Sequence, residues 1–181
     1  MTILHESVSL TEGAKDGQHY YIQGVFATIG VQNINKRVYP MQEWQREVKA
    51  FQNEIEQGTL KTLMEWDHSN SDLVDPQKAV AKINKLWIEN NLVYGRAIVL
   101  DVPKADIIKA MIDNNVKISV SSRGKGNVIN GVVSDFTLNG FDVVAYPSDK
   151  GATMTGVYES AQTPLSRGRI IFNSFFNIEK V

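Results

Sequence analysis

Val116-Lys117-Ile118-Ser119-Val120-Ser121-Ser122-Arg123-Gly124-Lys125-Gly126 reads as a strand that breaks into a glycine-rich turn. Residues 116–122 supply the apolar, β-branched run of a strand, and Gly124 and Gly126 free the backbone for an open turn. A serine at that junction exposes a hydroxyl beside backbone N–H groups, which is what acyl transfer needs. A hydroxyl is a weak nucleophile until a base takes its proton. Of the 3 histidines, His5 and His19 lie in or beside the N-terminal segment, which leaves His68 as the candidate base. On composition alone, the plainer reading of a turn without chemistry has the better claim.

Working outward, residues 1–18 are polar and irregular and read as a mobile arm. Residues 20–31 read as a strand interrupted at Gly24 and Gly30. Pro40 opens a helix in which Met41, Trp44, Val48, Phe51 and Ile55 form one apolar stripe, and Gly58 ends it. Residues 60–64 form a short strand candidate that delivers Glu65-Trp66-Asp67-His68 into a polar loop running to Pro76. Residues 79–88 and 92–100 flank Glu89-Asn90-Asn91 as a hairpin, since asparagine tolerates the positive φ of a tight turn. Pro103 begins a second helix, with Ala105, Ile108, Ala110, Met111 and Ile112 as its buried side. Residues 131–138 and 141–146 are two further strands. Many strands with two helices predict an α+β fold, a strongly bent β-sheet or barrel with the helices packed outside.

The 181-residue length suits one domain with a substantial core. With 19 Lys+Arg against 20 Asp+Glu there is no basic excess of the kind nucleic-acid binding requires. Cysteine is absent, which excludes disulfides, thiolate metal sites and a cysteine nucleophile. No apolar run approaches membrane-spanning length and no signal peptide is evident, so an intracellular, soluble protein is expected.

Ser121 and Ser122 point to opposite faces of a continuing strand, so only one can enter a given site. Arg123 is a candidate for a substrate carboxylate, for an oxyanion, or for a surface ion pair. Asp142 lies between apolar neighbours in Gly140-Phe141-Asp142-Val143-Val144 and needs a partner if it points inward. His68 would serve, with Asp142 orienting the imidazole, and Glu65 is the rival orienter. Asp67, His68, Asp72 and Asp75 lack a recognisable metal-ligand spacing, so no metal and no cofactor are expected.

In order along the chain, these segments resemble the prohead proteases of T-even-like tailed phages, whose fold is related to herpesvirus assemblin. The matching elements are residues 21–26, Asn35-Lys36-Arg37-Val38-Tyr39-Pro40, Glu65 to His68 with Val74-Asp75-Pro76, and Val93-Tyr94-Gly95-Arg96-Ala97. Val120 to Gly124 and Asp142-Val143-Val144 with Pro147-Ser148 complete them. The resemblance covers about residues 20–160. It implies a serine endopeptidase that cleaves scaffold and capsid proteins inside the immature shell, within the host cytoplasm. By position Ser121 is the nucleophile and His68 the base. Assemblin-like enzymes place a second histidine third, but none follows His68 here, so Asp142 takes that role. Ser122, Arg123 and Gly124 are the oxyanion or substrate candidates. The family often has proline directly after the histidine, where this chain has Ser69.

The resemblance further implies self-processing after glutamate, with Glu6 and Glu159 as candidate cut sites. On this reading residues 1–18 are an arm, 19–159 the protease domain and 160–181 a tail, both ends open to self-cleavage. Homo-oligomers are compatible with it, and neither nucleic acid nor membrane is an expected partner. The alternative is a non-enzymatic capsid-assembly or scaffold-associated protein of the same fold. A metal-dependent hydrolase comes third.

Overall fold

The computed structural model describes residues 2–10, 12–16, 19–67, 69 and 71–145, with side chains from residue 19 onward. Ser7-Val8-Ser9-Leu10 alternates polar and apolar residues, a period-two signal. The segment expected to be an arm holds two strands, β1 (Thr2–Leu10) and β2 (Glu12–Asp16). The aromatic and β-branched run that follows forms β3 (His19–Thr28). Helix α1 (Met41–Gln57) begins after Pro40 as its stripe predicts, and Gly58 caps it with its N–H on the Ile55 carbonyl. A single 3-10 turn replaces most of the strand expected at residues 60–64, leaving a short β4 (Leu63–Glu65).

The predicted hairpin is present as β5 (Ala79–Glu89) and β6 (Leu92–Val99), with Asn90 at φ +54°. The second helix, α2 (Asp106–Asp113), buries Ile108 and Ile112, while Ala110 faces water. The chain ends, within the described residues, in β7 (Ile118–Ile129) and β8 (Val132–Val144). Asn130 and Gly131 join them, both at positive φ, as a two-residue hairpin turn demands.

Two antiparallel sheets result, in the orders β1-β7-β8 and β2-β3-β6-β5-β4. They meet where Trp66 forms an isolated bridge to Val143 and the Asp67 N–H donates to the Val143 carbonyl at 2.7 Å. Among the described residues no helix is long and apolar enough to cross a membrane. The stripe of α1 packs on β5 and β8, where Trp44 and Phe51 join Phe26, Phe136 and Phe141. Trp44 meets the Phe136 ring edge-on at 5.1 Å, and Phe26 meets Phe141 likewise at 5.1 Å, a favoured aromatic geometry.

The polar side of α1 serves the outer edge of β8. Glu43 accepts from the Phe136 N–H at 2.8 Å and Glu47 accepts from the Leu138 N–H at 2.7 Å. Between them Arg46 donates to the Phe136 carbonyl and pairs with both carboxylates. Helix side chains thus take the hydrogen bonds that a neighbouring strand would otherwise supply.

Glu47→Ala leaves the buried Leu138 N–H without its acceptor and is expected to cost about 1–3 kcal/mol in urea unfolding. Burial opposes the charge on Glu43, but Arg46 and the Phe136 N–H together hold its carboxyl below its ordinary value. Its stabilisation is therefore present above the ordinary carboxylate range and is lost as pH falls through the lowered value. Thermal melts of Glu43→Gln should show a deficit at neutral pH that shrinks on acidification.

Candidate active site

Strand β7 does not break at the serines. It runs on through Gly124 and Gly126 to Ile129, paired with β1 on one side and β8 on the other. Gly124 has a packing reason rather than a turn to make, and Gly126 sits where the register with β8 shifts between Lys125 and Asn127. A Cβ on Gly124 would lie 2.5 Å from the Phe136 ring and 2.6 Å from the Thr137 carbonyl, so only glycine fits this approach of β8.

Register then separates the two serines. Ser121 lies opposite Asp142, and Ser122 lies opposite Phe141. Directly opposed residues share a face of an antiparallel pair. Ser122 therefore falls on the face of Phe141, in the apolar core. Ser121 falls on the other face, with Arg123 and Asp142. Both serines are buried, at 0% and 2% exposure.

Arg123 is as buried as Ser121, at 0% exposure. A guanidinium withdrawn from water demands anions and acceptors around it. Its Nε donates to Asp142 Oδ2 at 2.9 Å, and its Nη2 reaches Oδ1 and Oδ2 at 2.7 Å each. Nη1 donates to Glu65 Oε1 at 3.2 Å and to the Leu73 carbonyl at 2.9 Å, with the Ser71 carbonyl at 3.4 Å. Burial works against the charge, yet Asp142 and Glu65 hold Arg123 above its ordinary value, a permanent cation. The guanidinium is thus neither a surface ion pair nor open to a substrate carboxylate, because its donors are engaged inside the protein.

The carboxylates are held as tightly. Asp142 Oδ1 also accepts from the Glu65 N–H at 3.1 Å. Glu65 Oε1 accepts from the Asp75 N–H at 2.6 Å and from the Ser69 hydroxyl at 3.4 Å, while Oε2 is buried without a hydrogen-bond partner among the described residues. The partner that Asp142 needs is therefore Arg123. The signal was available in the chain: a strand arginine two residues from a serine, and a strand aspartate flanked by Phe141 and Val143, are each costly alone and satisfied together.

Beyond β4 the chain turns sharply. Asp67 sits at φ +64°, a left-handed conformation that aspartate tolerates better than most residues, and His68 follows it directly. His68 itself lies outside the described residues, as do Glu159, the Pro147-Ser148 segment and the tail at 160–181. Asp72 forms an ion pair with Lys125 of β7, and Asp75 caps a short 3-10 turn by accepting from the Gln77 N–H at 3.0 Å. Among the described residues no group of three or more His, Cys, Asp or Glu is placed to hold a metal ion. Glu6, a candidate cut site, lies in β1 opposite Ser122, with Ser7 opposite Ser121.

Comparison with known proteins gives this arrangement its context. The prohead core protein protease of Enterobacteria phage T4 is 38% identical over 118 residues, which make up 64% of this chain. That match is 54% of the T4 protein, so the chain spans about half the length of the curated relative it matches. Among solved structures, the bacteriophage T4 capsid assembly protease gp21 superposes with a TM-score of 0.73 at 31% identity, covering 80% of this chain and 98% of that one. The family model for the prohead core protein serine protease matches residues 3–162, a span that takes in both sheets, both serines, Arg123 and Asp142. The chain belongs to the prohead core protein serine protease family.

Proposed function

We propose that this chain is a serine endopeptidase that cleaves scaffold and capsid proteins after glutamate inside the phage prohead, within the host cytoplasm, and that it processes itself. Ser121 is the nucleophile, His68 the general base and Asp142 the carboxylate that orients the imidazole. The observation that carries the choice of serine is the register of β7 on β8: Ser121 shares its face with Asp142 and Arg123, whereas Ser122 shares its face with Phe141. Sheets bridged at Trp66 and Val143 support reading the fold as the strongly bent sheet of assemblin-like enzymes.

In the reaction His68 takes the Ser121 proton as Oγ attacks the carbonyl carbon that follows the glutamate side chain. The imidazolium then protonates the leaving amine, and water hydrolyses the acyl-enzyme by the same path in reverse. The Asp142 carboxylate lies one strand from the nucleophile, held by Arg123 and the Glu65 N–H, and in this reading it takes the imidazole as a further partner. Backbone donors around Ser122 to Gly124 are the nearest to Ser121 for the oxyanion, and in this structure that stretch of β7 is paired on both sides. Ser121 is wholly buried, so substrate must open the site before attack.

Ser121→Ala should abolish cleavage of a scaffold substrate and labelling by a fluorophosphonate probe, while Ser122→Ala keeps measurable amounts of both. Loss of cleavage in folded Ser122→Ala alone would reverse the assignment. An unlabelled, inactive wild type would favour the non-enzymatic assembly protein.

Self-processing at Glu6 carries a structural condition. The Glu6–Ser7 bond is part of the β1–β7 ladder, so β1 must leave β7 before that bond can be cut. Mass spectrometry of active enzyme should find new termini after Glu6 and Glu159; intact ends in active protein would remove this part of the reading.

A further inference from the structure

We propose that Arg123 is a positioning residue, which locks the loop that follows His68 onto the strand that carries Ser121. This rests on the reading of Ser121 and His68 as nucleophile and base. Ser121 lies on β7 of one sheet and His68 follows β4 of the other in sequence, and the described residues of the loop at 69–75 form no regular element. Something must fix one against the other.

The loop gains little from apolar packing at its centre, because the Leu73 side chain is 71% exposed. Its main chain is held instead. Arg123 Nη1 donates to the carbonyl of Leu73, and Glu65 Oε1, itself on Nη1, accepts from the Asp75 N–H. The rest of the same guanidinium grips Asp142 on β8. One rigid plane therefore joins β4, β7, β8 and the loop. The planar fork sets those angles, and an ammonium on a flexible stem does not reproduce them.

A second tie runs parallel to the first. Lys125, two residues further along β7, pairs with Asp72 of the same loop, both side chains being one-third exposed. Successive odd residues of β7 thus reach across to the same loop. The Arg123 guanidinium touches no reacting atom in this scheme; it sets where His68 enters.

The test uses the full chain with Arg123→Lys and Lys125→Met, assayed by steady-state cleavage of a glutamate-containing scaffold substrate and by hydrogen–deuterium exchange. Folded Arg123→Lys should lose about 100-fold in kcat, the scale of a small misplacement at a reacting centre, with KM nearly unchanged. Amide exchange should rise in residues 69–75 and stay at wild-type levels in β5 and β6. Lys125→Met, whose partly exposed site spares the fold, should raise exchange in the same loop with a smaller loss of kcat. Wild-type kcat in folded Arg123→Lys overturns the proposal. So does a rise spread evenly over the domain, which marks a purely structural role. If Arg123→Lys does not fold, unchanged loop exchange in Lys125→Met overturns it. Cleavage surviving in Ser121→Ala would instead refute the catalytic reading, and the exchange data would still report on the loop.

Discussion

A guanidinium with no water around it is the constraint from which the rest of this molecule follows. Arg123 can be buried only because Asp142 and Glu65 reach it from two other strands and the loop at residues 69–75 lends it main-chain carbonyls. Buried ion clusters add little net stability compared with apolar residues of the same volume, since desolvation offsets much of the attraction. What this one supplies is placement. Ser121 lies two residues away on the same face, so whatever fixes Arg123 also fixes the serine.

The opposite face of β7 and β8 is organised by a different force. Phe141 and Phe136 carry the apolar contacts to Trp44 and Phe51 of α1, while Glu43, Arg46 and Glu47 of that helix hold the edge of β8 by hydrogen bonds. One helix therefore both buries the sheet and closes its edge to strand addition. The hairpin that bears the site is clamped by charge on one face and by aromatic packing on the other. Gly124 allows the fit between these two layers, since any larger residue would push β7 away from Phe136.

Local signals in the sequence mark the elements that neighbouring residues determine. The stripe from Met41 to Ile55, with proline before it and glycine after it, marks α1 because helix period and caps are properties of neighbouring residues. The β5–β6 hairpin is marked by its asparagines for the same reason. Glycine is the misleading signal: Gly124 and Gly126 suggest a turn, and the real cause at Gly124, the approach of β8, is a tertiary contact. The first strand was hidden because its polar composition outweighed its alternation. At the site, Ser121 and Asp142 were legible as candidates. Arg123 and Asp142 are marked only as costly residues in need of partners, and their pairing is not, because the partners of Arg123 stand 19 and 58 residues away along the chain. Charge pairing across such distances leaves no periodic trace.

Those separations bear on how the site comes into being. Bringing Glu65 to Arg123 closes a long loop at an entropic cost, and nothing is returned until Asp142 also arrives. A half-made cluster is worse than none, for it strands an unmatched charge away from water. The serine strand, the β4 end and β8 must therefore come together as one cooperative event. A nascent chain still lacking β8 has no carboxylate opposite Ser121 and no apolar layer behind Ser122. Because the last described strand completes the cluster, a truncated or unfinished chain carries the serine without the surroundings that position it.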